Sequence, residues 1–310
     1  MARPRTREAS WFGAAAVAIA LVACNDVPGW RLGDGTFQTC ASASDIACSP
    51  FSAPTAVVEV ASVGDNDEKP TLTSDMLEMY FLSDRAGGLG NGDVWKSLRA
   101  TTSDPWGTPA LVTSVSSTSR ETSPAISADG LTLCVSSDRP GGQGGLDIWM
   151  STRPTRSDDW SVPVPVTVLN SSEDEIPRPP GDHLREMPLS RRATSNDPYQ
   201  IFAAWRAGAS SPWTSPVPET SIDTGNVDDD GDLMDDGVTL YLSSDRLNGI
   251  QDLFVAERPD DTSPYAPPVA LTALNTTAYA ERDPWVSPDS SEIYFVSDRT
   301  GSRQIFHATR

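Results

Sequence analysis

Ser123-Pro-Ala-Ile-Ser-Ala-Asp-Gly-Leu-Thr-Leu-Cys-Val-Ser-Ser-Asp-Arg139, followed by Asp147-Ile-Trp149, is one copy of a unit that recurs every 53 or 54 residues. The clearest marker of the unit is the tripeptide Ser-Asp-Arg, which also stands at residues 83–85, 244–246 and 297–299. A fifth copy falls where the period places it, at Ser190-Arg191-Arg192, with Arg in place of Asp. A fixed period of this length is typical of propeller blades and of solenoid repeats.

Three further features keep their spacing in every copy. An acidic residue lies three positions before a Pro or Gly, at Asp67, Glu121, Asp174, Asp228 and Glu281. A second acid follows the same Pro or Gly by five positions, at Asp75, Asp129, Asp182, Asp236 and Asp289. An apolar alternating segment precedes the tripeptide and an apolar-aromatic pair follows it, and both patterns predict strands.

One element of the unit is displaced along the chain. An aromatic residue three positions before a Pro follows the first four units, at Trp106, Trp160, Trp213 and Tyr265, whereas the fifth copy, Phe51 to Pro54, stands ahead of the first unit. We therefore expect an all-β fold, a five-bladed β-propeller of four-stranded antiparallel blades, in which about residues 51–62 complete the last blade. An open solenoid, which would need capping repeats, is the less favoured alternative.

These motifs resemble the TolB-type, WD-like β-propeller repeat, and the resemblance covers residues 51–310. It is strongest in the second and fifth units and weakest in the third. The resemblance implies a propeller fold and a periplasmic or surface protein that binds other proteins. The third unit departs from the family pattern by Arg191 and by Pro179-Pro180, so its blade is expected to be the least regular.

Residues 1–23 predict an export signal, because a basic start precedes an apolar run, Trp11 to Ala23, that is short for a membrane-spanning helix. The run ends Leu21-Val-Ala-Cys24, which resembles the lipobox of bacterial lipoprotein precursors. That resemblance implies cleavage before Cys24 and a lipid on it, with residues 24–50 as a spacer and 51–310 as the propeller. A signal-anchor helix with an incidental Cys is the alternative.

The predicted location is the bacterial cell envelope, with the chain lipid-anchored in the outer or inner membrane and periplasmic or surface-exposed. In an oxidising compartment Cys40 and Cys48 could close a small disulfide loop, whereas Cys134, inside an apolar run, is predicted to be a buried thiol. A net charge of −20 disfavours nucleic acid and anionic lipid headgroups. We expect a monomer that contacts the membrane through its lipid only.

Two sets of loops are expected on one face of the ring. The loops that enter the inner strands carry Asp67, Glu121, Asp174, Asp228 and Glu281, and the loops between the second and third strands carry Arg85, Arg139, Arg192, Arg246 and Arg299. A ring of carboxylates partly neutralised by Arg is the candidate binding face for a ligand, a cation or a partner. The alternative, which the repetition favours, is a set of structural ion pairs.

Catalytic chemistry has little support in the sequence. Two His, His183 and His307, and the lack of a Gly-x-Ser-x-Gly elbow disfavour a serine-hydrolase triad and a metal hydrolase. The acidic run from Asp228 to Asp236 raises the possibility of calcium, but its spacing does not fit an EF-hand, so no cofactor is predicted. A glycan-active enzyme would need unlike carboxylates, for which Asp174-Glu175 is the only adjacent pair that breaks the repeat nearby.

These features favour a non-enzymatic, lipid-anchored propeller that binds or scaffolds an envelope protein or peptide. The alternative is a polysaccharide-binding or glycan-cleaving five-bladed propeller. An aromatic platform beside two unlike carboxylates in the channel would favour that alternative.

Overall fold

The computed structural model describes residues 30–31, 37–38, 50–180, 185–192, 194 and 196–310. These residues form strands and turns, and no helix among them is long and apolar enough to cross a bilayer. A short antiparallel pair, Trp30–Arg31 with Phe37–Gln38, precedes the ring in the chain. Cys24, Cys40 and Cys48, for which the sequence predicts a lipid and a disulfide, lie outside the described residues.

Five antiparallel sheets of four strands form the blades, with strands A to D running from the inner to the outer edge. Blade 1 consists of Asp67–Leu72, Glu78–Ser83, Asp93–Leu98 and Ala110–Leu111. Blade 2 consists of Glu121–Ile126, Thr132–Ser137, Asp147–Thr152 and Val164–Pro165. Blade 3 consists of Glu175–Pro177, Glu186–Arg191, Gln200–Trp205 and Val217–Pro218. Blade 4 consists of Asp228–Leu233, Thr239–Ser244, Asp252–Glu257 and Val269–Ala270. Blade 5 consists of Glu281–Val286, Glu292–Ser297, Gln304–Thr309 and Thr55–Ala56.

Blade 5 takes its outer strand from the N-terminal side of the ring. Thr55–Ala56 pairs antiparallel with Gln304–Thr309, and the Ser52 N–H donates to the Thr309 carbonyl at 2.6 Å. The strand itself is two residues long, as are the other outer strands, and is therefore shorter than the segment 51–62 expected from the sequence. The five-bladed propeller closed by an N-terminal strand is confirmed.

The core lies between neighbouring blades, where apolar side chains of the inner three strands pack together. One cluster joins Phe51 and Phe306 of blade 5 to Tyr241 and Leu253 of blade 4. Cys134 is a buried free thiol in such a cluster, as the sequence predicts. Packing of this kind makes each blade depend on its neighbours.

An Arg that was not predicted to matter follows strand C of every blade. These residues, Arg99, Arg153, Arg206, Arg258 and Arg310, place their guanidinium groups over Trp106, Trp160, Trp213, Tyr265 and Phe51, at 4.1–4.6 Å from the ring centroids. In the first four blades the Arg stands seven positions before the aromatic residue, a spacing that could have revealed it. The fifth pair, Arg310 over Phe51, shows that ring closure reuses the cation–π contact of the other blades.

Phe51→Ala is expected to loosen blade 5. Phe51 is 6% exposed and shares a core cluster with Phe306, so its truncation should lower the free energy of unfolding by about 3–5 kcal/mol. Urea denaturation measures the loss, and hydrogen exchange at Gln304–Thr309 should accelerate. Tyr265→Ala, which removes the equivalent ring of blade 4, is the matched control and should speed exchange in blade 4. Unchanged protection of Gln304–Thr309 in Phe51→Ala would contradict this role.

Candidate functional site

The charged repeat motif lies where the inner strands begin, and this end of the ring is the upper face. In four blades the predicted acid and the predicted Arg form an ion pair: Asp67 with Arg85, Glu121 with Arg139 at 2.8 Å, Asp228 with Arg246 at 2.6 Å, and Glu281 with Arg299 at 2.9 Å. In these four blades the structure therefore pairs the acids with the Arg residues that the sequence analysis grouped on one face.

The rest of the motif holds the chain between blades. Each Arg also donates through Nη2 to a carbonyl in the connection that precedes its blade, as Arg139 does to Val115 at 2.7 Å. The Asp of the tripeptide accepts the N–H of the residue before the acid, as Asp138 does from Arg120 at 2.9 Å. The acid itself accepts the Ser117 N–H at 2.7 Å in the same blade. These contacts tie three separate segments to each other in the four blades that carry the complete tripeptide.

In the third blade the acid of the motif lies one residue later in the chain than the sequence predicts. Glu175, rather than Asp174, occupies the acid position, and it pairs with Arg191 at 2.9 Å. The prediction that Asp174 and Arg192 are the third copy of the motif is corrected accordingly. Those two residues form an ion pair of their own, and the Tyr199 hydroxyl donates to Asp174 at 2.8 Å.

The acids of the motif are shielded from solvent. Each is at most 1% exposed: Asp67, Glu121, Glu175, Asp228 and Glu281. A carboxylate that is buried and paired with Arg is satisfied within the protein and offers little to a ligand. This geometry fits the structural interpretation that the sequence left open, and binding of a partner by the upper face stays a prediction.

Four charged side chains with no predicted common role meet at the centre of the ring: Lys69, Arg178, Asp230 and Asp283. Lys69 Nζ lies 2.7 Å from Asp230 Oδ1 and 2.5 Å from Asp283 Oδ1. Arg178 Nη2 lies 2.5 Å from Asp230 Oδ1 and 3.2 Å from Asp283 Oδ1. The four come from blades 1, 3, 4 and 5, so two of the four ion pairs, Lys69–Asp230 and Arg178–Asp283, join blades that are not neighbours and that can meet only at the axis. We name this group the axial cluster.

A backbone feature recurs where three of these side chains arise. Lys69, Ser123, Asp230 and Asp283 have φ angles of 57°, 47°, 57° and 56°, in the left-handed region that residues other than Gly rarely adopt. Strand A carries a bulge at this point in blades 1, 2, 4 and 5. A bulge redirects the side chain it carries. Blade 3 has no bulge there, which explains why its acid lies one residue later.

The two axial carboxyls have opposite pKa shifts. Burial works to raise the pKa of Asp230, but the attraction of Arg178 and Lys69 outweighs it and holds the pKa well below its usual range. Burial, reinforced by the neighbouring Asp230, raises the pKa of Asp283 to about 7. Asp230 is therefore the more strongly stabilised anion of the two.

The acidic run of blade 4 is divided among separate partners. Asp228 pairs with Arg246, Asp230 belongs to the axial cluster, and Asp232 Oδ2 accepts the Val286 N–H at 2.9 Å. Among the residues that the structure describes, no group of three or more His, Cys, Asp or Glu side chains is arranged to hold a metal ion. The run therefore supplies no ligand set for the calcium considered from the sequence.

The other end of the inner strands forms the lower mouth, an open depression with about 430 Å³ of space between its walls, part of it bulk solvent. All five blades contribute to its wall, which is mostly apolar: Leu72, Ile126, Pro179, Pro180, Leu233, Met234, Trp285, Val286 and Pro288. Two carboxyls, Asp232 and Asp235, also line it. Asp232 is 4% exposed, and burial raises its pKa to about 7.

One signal in the sequence could have revealed the lower mouth. Asp232 stands at the strand position held by Thr71 in blade 1, Ala125 in blade 2 and Trp285 in blade 5. The same position holds Arg178 in blade 3, so it carries a charge only in blades 3 and 4, and such charges break the repeat, as site residues are expected to do. The repeat motif drew attention to the upper face instead.

No protein-family model and no curated protein sequence matches the chain. Solved structures share its architecture. TolB from Acinetobacter baumannii is 15% identical with a TM-score of 0.50, over 81% of this chain and 56% of that chain. The chain thus spans little more than half the length of that TolB.

Glycoside hydrolases share the architecture equally well. The α-L-arabinofuranosidase PaAbf62A from Podospora anserina is 10% identical with a TM-score of 0.54, over 84% of this chain and 96% of that chain. A thermostable family-43 glycoside hydrolase is 11% identical with a TM-score of 0.51, over 82% and 91%. At these identities the likeness establishes the propeller fold and leaves the activity to be argued from the site.

Asp232→Asn is expected to flatten the pH dependence of stability. Because the folded pKa of Asp232 is raised to about 7, the folded state holds a proton that the unfolded chain releases, and stability falls as pH rises from about 4 to 7. Between pH 5 and pH 8 the free energy of unfolding should fall in both proteins, and the fall should be smaller in the variant than in the parent by on the order of 2–3 kcal/mol. Urea denaturation at both pH values measures this difference.

Asp235→Asn removes a more exposed carboxyl from the same wall and is the matched control. Its change in stability between the two pH values should follow that of the parent. An equal change in Asp232→Asn and in the parent would show that Asp232 is not the titrating group.

Proposed function

We propose that this chain is a non-enzymatic binding or scaffold module of the bacterial cell envelope, tethered by a lipid on Cys24 and engaging a protein or peptide. The lipobox-like end of the export signal supports the tether, and the net charge of −20 supports a basic or neutral partner rather than nucleic acid. The propeller fold is compatible with binding and with catalysis, so the choice between them depends on the centre of the ring.

The axial cluster is the observation that carries this proposal. Glycosidases place two carboxyl groups about 5–5.5 Å apart in retaining enzymes and about 6.5–9.5 Å apart in inverting enzymes, flanking the bond to be cleaved. Asp230 and Asp283 instead share both Lys69 Nζ and Arg178 Nη2 through their Oδ1 atoms. A sugar has no room between these two oxygens, because the same two cations already contact both.

Exposed apolar side chains on the upper face also support a protein partner. Four large apolar side chains are 44% or more exposed in its loops: Val63, Leu89, Leu247 and Tyr279. Val63 and Tyr279 lie in connections that enter inner strands, and Leu89 and Leu247 lie in loops between strands B and C. Exposed apolar side chains on loops held by a rigid scaffold are common contact points for protein partners.

A glycan-binding or glycan-cleaving propeller is the second candidate. Trp285 lines the lower mouth together with Asp232 and Asp235, which is the kind of grouping that sugar recognition uses. Trp285 is 5% exposed, however, and its ring packs edge to face on Tyr294 with centroids 6.0 Å apart. A ring held in this way offers little surface to stack on a sugar, so the protein or peptide partner is preferred.

Photo-crosslinking in cells, paired with sugar assays on the full chain, tests the proposal. A photoreactive residue replaces Val63 or Leu247 on the upper face, Pro288 at the lower mouth, or Val162 on the outer edge, which is 81% exposed and serves as the matched control. We expect adducts with one envelope protein from the upper face or the mouth and none from Val162. A glycan array should give no binding, and no reducing sugar should be released.

Two outcomes would overturn the proposal. Glycan binding or sugar release that Asp232→Asn abolishes would establish the glycan candidate, provided that it survives Asp65→Asn, which removes a partly exposed carboxyl from a loop of the upper face. Adducts that are no more frequent from Val63, Leu247 and Pro288 than from Val162 would show that neither face engages a specific protein.

A further inference from the structure

The geometry points to the lower mouth as a receptor for a single cationic side chain with an aliphatic stem, a Lys or Arg presented by the partner, and we propose that this contact anchors it. The inference rests on the proposed binding function and names the surface and the chemistry of the partner. It is independent of the upper-face motif, whose acids are already paired with Arg.

The wall of the mouth fits the stem of such a side chain. Leu72 and Ile126 lie on one part of the wall and Met234 and Val286 on another, so methylene groups would meet apolar surface on entering. Lys and Arg commonly bury their methylene stems against apolar surface while the charged group finds a polar partner. A wholly polar guest, such as a sugar, would leave these walls poorly matched.

The floor of the mouth fits the charged group. Asp232 is 4% exposed, its Oδ2 accepts the Val286 N–H at 2.9 Å, and its carboxyl lines the mouth. Asp235 adds a second carboxyl at the wall. Lys69 and Arg178 form their ion pairs with the two carboxyls of the axial cluster, and Arg178 also attracts the Asp232 carboxylate without an ion pair to it.

The rim carries both signs of charge, because the Arg residues that follow strand C donate to carbonyls of the turns between strands A and B, as Arg99 does to Met76 and Arg310 to Ser290. Exposed acids stand in the turns between strands A and B, at Asp75, Asp129, Asp236 and Asp289. Asp75 pairs with Arg156, whereas Asp129, Asp236 and Asp289 accept N–H groups of their own turns, which leaves their charges in place. The net charge of −20 and the two carboxyls of the wall disfavour an anionic guest. A neutral apolar guest would bury the Asp232 carboxyl without a counter-charge.

Small probes test this inference without knowledge of the partner. The full chain in lipid nanodiscs is titrated with Nα-acetyl-lysine amide, with Nα-acetyl-norleucine amide, which has a similar stem and no charge, and with the Nε-acetylated lysine amide. The readout is the indole N–H resonance of Trp285, assigned by Trp285→Phe. The lysine probe should shift this resonance in a saturable manner and bind at least tenfold more tightly than either neutral probe.

Variants separate the contribution of each carboxyl. Asp232→Asn should weaken the lysine probe by about tenfold, and Asp235→Asn by about twofold to threefold. Asp65→Asn removes a carboxyl of similar exposure from the opposite face and should leave binding unchanged. Thermal melting confirms that each variant is folded, and Asp235→Asn keeps the test decisive if Asp232→Asn does not fold.

Equal binding of the lysine and norleucine probes would overturn the charge-based receptor. Absence of any shift at Trp285 would overturn the mouth as a site. Either result leaves the proposed function standing if the photoreactive residues on the upper face still crosslink an envelope protein. If no position on either face gives a specific crosslink, both the proposed function and this inference are overturned.

Discussion

Pairing of Thr55–Ala56 with Gln304–Thr309 is the contact on which the rest of the ring depends, because it joins segments at opposite ends of the propeller sequence. Without it, strand C of blade 5 would expose an unpaired edge and Arg310 would lose the ring of Phe51. Each inner strand packs against its neighbours, so a gap at one blade would let all five move apart. Closure therefore converts five marginal sheets into one rigid frame.

The closed ring brings together the charged side chains of the axial cluster. Only in a closed ring can Lys69 of blade 1 reach Asp230 of blade 4, and Arg178 of blade 3 reach Asp283 of blade 5. Charges buried at this point must be matched, because an unpaired buried charge is costly. The matching fills the middle of the channel and leaves the two faces for recognition. The carboxyls of the lower mouth, Asp232 above all, stand outside this neutralised centre.

The repeat made the fold predictable and the site difficult to predict. The spacing of the Ser-Asp-Arg copies predicted the number of blades and the order of their strands. The displaced Phe51 element predicted how the ring closes. The predicted position of the acid in blade 3 was wrong by one residue. Strand A of that blade lacks the bulge present in the other inner strands, so the buried acid is Glu175. The axial cluster could not be foreseen, because the repeat position shared by Lys69, Asp230 and Asp283 carries residues of opposite charge, Arg178 stands at a different position, and the four meet only after the ring closes. A repeat reveals what blades share, whereas a site consists of what they do not share.

A disulfide trap tests ring closure most directly. Ser52 Oγ and Thr309 Oγ1 lie 3.5 Å apart, so Ser52→Cys with Thr309→Cys should bridge under mild oxidation, while Ser52→Cys with Thr152→Cys, the equivalent position of blade 2, should not. Mass spectrometry of proteolytic peptides identifies the bridge. The account predicts a near-complete link in the folded chain and none when oxidation follows unfolding in urea. A folded chain without the Ser52–Thr309 link, or with the Ser52–Thr152 link instead, would contradict closure by the N-terminal strand.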